Sequence, residues 1–135
     1  MTSTASEPGS ASVLIVDRSE ETRDVLRTIL ETRGLSILEA KRGATGLELL
    51  REQHPRVVIL DLEVDEGDTT GLQGAYEAES RRDGTCLVML GKVKGSNRSD
   101  DNTSSETRHI IEKPYHYGPL IRTIEQLLEQ QDTAA

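Results

Sequence analysis

Phenylalanine and tryptophan are absent from this chain, so its core must be aliphatic. A single cysteine, Cys86, excludes an internal disulfide and fits a reducing cytoplasm. Set inside an apolar run, it reads as a buried strand residue rather than a reactive thiol. Positive charge is in deficit: 16 Lys and Arg stand against 24 Asp and Glu, for a net charge of −8. With a pI of about 4.9, this argues against a nucleic-acid surface, which needs a basic stripe. No apolar run approaches the roughly 18–20 residues of a membrane span. The start, MTSTASEPGSAS, has no basic opening and no apolar stretch, so it is not a secretory signal. Residues 1–11 read as a flexible polar tail.

What the chain does have is alternation. Its 135 residues suffice for one domain, expected over residues 12–130, with 131–135 as a short C-terminal tail. Five short runs read as strands: Val13–Val16, Ile37–Leu38, Val57–Leu60, Cys86–Leu90 and Ile110–Ile111. The first, third and fourth are continuously apolar, as in a parallel sheet covered on both faces. Val25, Leu26, Ile29 and Leu30 fall at helical spacing, with Gly34 suited to the C-terminal cap. Leu47, Leu49 and Leu50 mark a second helix ending before Pro55, and a weaker third covers Leu72–Arg82, closed at Asp83–Gly84. The last is a clear stripe of Leu120, Ile121, Ile124, Leu127 and Leu128. In the fourth connection, Gly91 to Arg108, the stretch GKVKGSNRSDDNTSSETR holds one large apolar residue, Val93, and its helix is expected to be degraded to a loop. The pattern predicts an α/β fold, a single doubly wound five-stranded parallel sheet ordered 2-1-3-4-5.

In such a sheet, ligands sit at the carboxyl ends of the strands, where the winding reverses between strands one and three. Asp17 ends strand one, Asp61 ends strand three, and Lys113 follows strand five in IIEKPY. Two carboxylates and a lysine should therefore converge on one cleft from distant segments. At this point the chain resembles the receiver domains of two-component response regulators. The anchors are VLIVD ending at Asp17, VVILDL with Asp61, and EKPY with Lys113 and Pro114; LEAKRGATGLELL adds Gly43 in the family's glycine place. The resemblance implies the CheY-like, flavodoxin-like architecture and phosphorelay signalling: Asp61 takes a phosphoryl group from a histidine kinase, and Mg²⁺ and Lys113 neutralise it. It also implies a cis bond between Lys113 and Pro114.

The chemistry needs these residue types. A carboxylate attacks phosphorus poorly unless the developing charge is neutralised. Mg²⁺ binds through one or two carboxylates, waters and phosphate oxygens; Asp17, Asp61 and the backbone carbonyl of Glu63 are the expected donors. The departures are as informative. Arg18 stands where the family carries a second acid, cannot ligate Mg²⁺, and predicts weak or absent metal binding. It could instead pair with Asp61 or Asp17, or turn to solvent. Gly91 takes the place of a switching Ser or Thr, and Ile110 that of an aromatic. Asp65 replaces the usual proline, and Glu63, Asp65, Glu66 and Asp68 make the following loop acidic, able either to rescue a cation or to repel phosphate.

Two readings share the same domain. One is a phosphorylatable receiver with weakened Mg²⁺ binding; the other is a pseudo-receiver, a protein-interaction module that works without phosphorylation. An enzyme on a related fold fits poorly. DRSEE is not a flavodoxin phosphate loop, DLE lies on the wrong strand for a haloacid-dehalogenase-type phosphatase, and GATG is too short for a dinucleotide loop. Partners are expected to be a histidine kinase or another signalling protein, not nucleic acid or membrane, and no DNA-binding module is expected within residues 131–135 after the last helix.

Overall fold

The computed structural model describes residues 12–65, 70–91 and 108–133. Its elements run β1 (Val13–Val16), α1 (Glu20–Glu31), β2 (Ile37–Ala40), α2 (Gly43–Gln53), β3 (Val57–Asp61), α3 (Thr70–Asp83), β4 (Cys86–Leu90), β5 (Arg108–Ile111) and α4 (Tyr117–Thr133). The five strands form one sheet ordered β2-β1-β3-β4-β5, and every neighbouring pair is parallel. This is the doubly wound order expected from the alternation.

Successive strand residues point to opposite faces, which divides each apolar run between two cores. On one face Val13, Ile15, Val57, Ile59, Val88 and Leu90 meet Leu26 and Leu30 of α1 and the whole stripe of α4. On the other, Leu14, Val16, Val58, Leu60, Leu87 and Met89 meet Leu50 of α2 and Tyr76 of α3. Helices on both sides explain why β1, β3 and β4 are apolar without interruption. Helix α1 starts because the Ser19 hydroxyl accepts the Thr22 amide (3.1 Å) and because Glu20 and Glu21 sit in the first turn, where negative charge is favoured.

The differences from expectation have physical causes. Strand β5 begins two residues earlier than its apolar pair because, as a half-buried edge, it tolerates Arg108 and His109; Arg108 pairs with Glu77 of α3 at 2.9 Å. The last helix runs on to Thr133, into the stretch expected as a tail. In α2 the buried face is Gly43, Gly46 and Leu50, with Leu47 and Leu49 only half-buried. A Cβ at Gly46 would stand 2.3 Å from the Tyr76 Oη and 2.6 Å from Val16 Cγ2, so the absent side chain is what lets α2 lie this close to β1 and α3. The tail 1–11, the fourth connection at 92–107 with its expected degraded helix, and the acidic residues Glu66 and Asp68 lie outside the described residues. Among the described residues, no helix is long and apolar enough to cross a membrane.

Candidate functional site

Val16 of β1 lies opposite Leu60 of β3, so the next residues, Asp17 and Asp61, leave adjacent central strands side by side. Both are buried, at 4% and 6% exposure. Lys113 comes from just beyond β5, after which the bond to Pro114 is cis. Its Nζ donates to Asp61 Oδ1 at 2.7 Å and lies 3.5 Å from Glu63 Oε1. The Glu63 amide donates to the same Asp61 Oδ1 at 3.0 Å, and the Ser19 amide donates to Asp17 Oδ1 at 2.8 Å. Three distant segments are thereby joined at one end of the sheet.

The electrostatics follow from this geometry. Burial pushes the Asp17 carboxyl above its ordinary value; the Ser19 amide opposes that, the charge of Asp61 adds to it, and Lys113 and Arg23 offset part. For Lys113, burial pulls the ammonium down, but the hydrogen bond and charge of Asp61, with Glu63 and Asp17 beyond, outweigh it and hold the group above its ordinary value. Burial likewise raises Tyr115, helped by Tyr117, its edge-to-face neighbour at 5.8 Å, and by the charges of Asp17 and Asp61.

The remaining sequence candidates fall as follows. Arg18 is exposed, and Lys113 is in contact with Asp61. Gly91 closes β4, buried, with its amide donating to the Ile111 carbonyl at 3.0 Å and φ at +129°. That backbone conformation, rather than space, excludes a side chain, since a Cβ would meet Leu62 at an ordinary 3.4 Å. Ile110 is half-buried and packs against the α2–α3 side of the core. Asp65 Oδ1 accepts the Gly43 amide at the start of α2, at 3.2 Å. Arg42 occupies the cap position of α2 and supplies no side-chain bond there, so the start of this helix takes its partner from the loop after β3.

A model of the response regulator receiver domain family matches residues 13–125. The chain belongs to that family. The transcriptional regulatory protein SrrA of Staphylococcus aureus (strain NCTC 8325 / PS 47) is 27% identical over 121 residues, which is 90% of this chain and 49% of SrrA. The chain thus spans about half the length of the curated relatives it matches. Among solved structures, the receiver domain of the Francisella response regulator 1452 superposes with a TM-score of 0.72 at 18% identity, covering 90% of this chain and 98% of that one. A CheY-like receiver domain protein from Methanospirillum hungatei JF-1 gives 0.70 at 22% identity, covering 93% and 98%.

As a receiver domain the chain belongs to two-component signalling, whose receiver domains partner with histidine kinases and other signalling proteins and are generally not enzymes. Receiver domains typically bind Mg²⁺. In this receiver the cleft offers two carboxylates, both already holding hydrogen bonds, with an arginine next in sequence to one of them. Among the described residues, no group of three or more ligating side chains is arranged to hold a metal.

Proposed function

We propose that this receiver accepts a phosphoryl group on Asp61 from a histidine kinase and binds Mg²⁺ only weakly, within a domain spanning residues 12–130. The observation that carries the reading is the contact between Lys113 Nζ and Asp61 Oδ1 at 2.7 Å, beside a second buried carboxylate, Asp17. Oδ1 is held by Lys113 and by the Glu63 amide, so the nucleophile is Oδ2, which neither of them engages. Oδ2 attacks the phosphorus of a phosphohistidine, an acyl phosphate forms, and the phosphorus–nitrogen bond breaks with its electron pair leaving on the imidazole. Lys113 stays protonated throughout and offsets the new charge as a point cation. The cleft is cytoplasmic in this reading, where kinase and phosphodonor are found.

A specific observation favours the second reading, a pseudo-receiver acting as a phosphorylation-independent interaction module. At Gly91 the glycine-type φ of +129° leaves no hydroxyl to follow a phosphoryl group, and Ile110 stands in the aromatic's place. The deciding experiment is reaction of the intact protein with a small phosphodonor such as acetyl phosphate, with and without Mg²⁺, read as mass gain. One phosphoryl group is expected on the wild type and none on Asp61→Asn. No gain on folded protein leaves the pseudo-receiver reading.

A further inference from the structure

The acceptor Asp61 is tied to helix α2 by a short covalent and hydrogen-bonded path. The Glu63 amide rests on Asp61 Oδ1 (3.0 Å) and the Val64 amide on the Asp61 carbonyl (2.9 Å). The next residue, Asp65, accepts the Gly43 amide at 3.2 Å. The other side of Gly43 is fixed as well, since its carbonyl accepts the buried Tyr76 hydroxyl of α3 at 2.7 Å. No slack surrounds this junction. A Cβ at Gly43 would lie 2.6 Å from Asp65 Oδ2 and 2.7 Å from Leu72 Cδ1, and one at Gly46 would strike the Tyr76 hydroxyl. At the opposite side of the cleft, Gly91 carries no hydroxyl to pull.

Resting on the phosphoacceptor reading, we infer that Asp65 is a positioning residue coupling the Asp61 site to the N-terminus of α2, so that modification is read on the α2–α3 side of the sheet. The physical route is direct. Phosphorylating Asp61 on Oδ2 leaves Oδ1 an uncharged carbonyl oxygen, a weaker acceptor for the Glu63 amide, and places phosphoryl oxygens in the cleft that compete for that amide. Displacement of Glu63 and Val64 moves Asp65, two and one residues on. The Asp65–Gly43 bond is the contact through which this reaches α2, and the Tyr76 bond passes it to α3. Coupling of this kind is reciprocal: a change at Asp65 must also be felt at Asp61.

Backbone amide and aspartate side-chain carboxyl resonances, recorded with beryllofluoride and Mg²⁺ on the wild type, Asp65→Ala and Asp65→Asn, test this. Asparagine keeps an oxygen for the Gly43 amide and alanine does not. Where the mimic binds, Glu63 and Val64 move in all three proteins. Gly43, Ala44 and Gly46 should move by more than a linewidth in the wild type and in Asp65→Asn, and stay still in Asp65→Ala. Still amides at Gly43–Gly46 in the wild type, or equal movement in Asp65→Ala, overturn the inference. Should the folded wild type not bind the mimic, the phosphoacceptor reading fails on its own, and the coupling is decided by the unliganded spectra. Asp65→Ala must then shift the Glu63 amide and the Asp61 carboxyl carbon, with Asp65→Asn restoring both; unchanged resonances there overturn it. If Asp65→Ala does not fold, the wild-type amides and Asp65→Asn carry the decision.

Discussion

At Asp17 burial and the neighbouring Asp61 charge disfavour the carboxylate more than the Ser19 amide, Lys113 and Arg23 favour it. The folded protein therefore binds this proton more tightly than the unfolded chain does, and stability falls as pH rises from the ordinary carboxylate range through the raised native value. Above that value the full cost is present. Asp17→Asn keeps an oxygen for the Ser19 amide and removes the charge, so it should raise Tm by a few degrees at pH 7. The gain should shrink toward zero near pH 3, as paired thermal melts would show. Lys113 slopes the same way for the opposite reason, because here the charged form is the favoured one: its stabilisation is fully present below the ordinary lysine value and is lost as pH climbs through the raised one. At Arg18 the expected outcome concerns metal. Arg18→Asp adds a ligand and removes a positive charge beside Asp17, and should tighten Mg²⁺ binding by about tenfold or more in titration calorimetry. An unchanged affinity would remove Arg18 from the account.

Among the elements, the α2–α3 contact is the most demanding. Gly46→Ala drives a methyl against the Tyr76 hydroxyl and Val16, and should cost roughly 1–3 kcal/mol in urea unfolding. Tyr76→Phe removes the hydroxyl that donates to the Gly43 carbonyl, at about 1 kcal/mol. The double variant should lose less than the sum of the two, because deleting the hydroxyl opens space for the methyl. The same helix shows where sequence reading reached its limit. Strands β1, β3 and β4 were legible because continuous apolar runs have few homes outside a two-sided parallel sheet, and α4 because its stripe is unbroken. Helix α2 was placed correctly from its leucines, yet two of its three buried positions are glycines, which carry no hydrophobic signal. At the cleft, Asp17, Asp61 and Lys113 were legible from strand ends alone. The bond from Asp65 to α2 was not, since an acidic loop reads only as charge until the chain opposite it is known.

For the whole molecule, the two faces of the sheet carry different machinery. One face holds α1 and α4 over aliphatic packing, joined at the surface by Arg33 and Glu125; the other holds α2 and α3 with the glycine contact and the Asp65 bond. A response to beryllofluoride should accordingly be lopsided, with large amide shifts at residues 43–46 and 61–65 and small ones from Arg108 to Leu120. Broad movement through β5 and the start of α4 would restore an ordinary switch through the Gly91 side. The backbone at Gly91 bears on whether a hydroxyl could be seated there at all. With φ at +129° and its amide committed to Ile111, the strand end has settled into a shape that only glycine occupies comfortably. Gly91→Ser or Gly91→Thr would therefore place a side chain on a main chain strained for it, and a hydroxyl could be seated there only if the end of β4 were rebuilt.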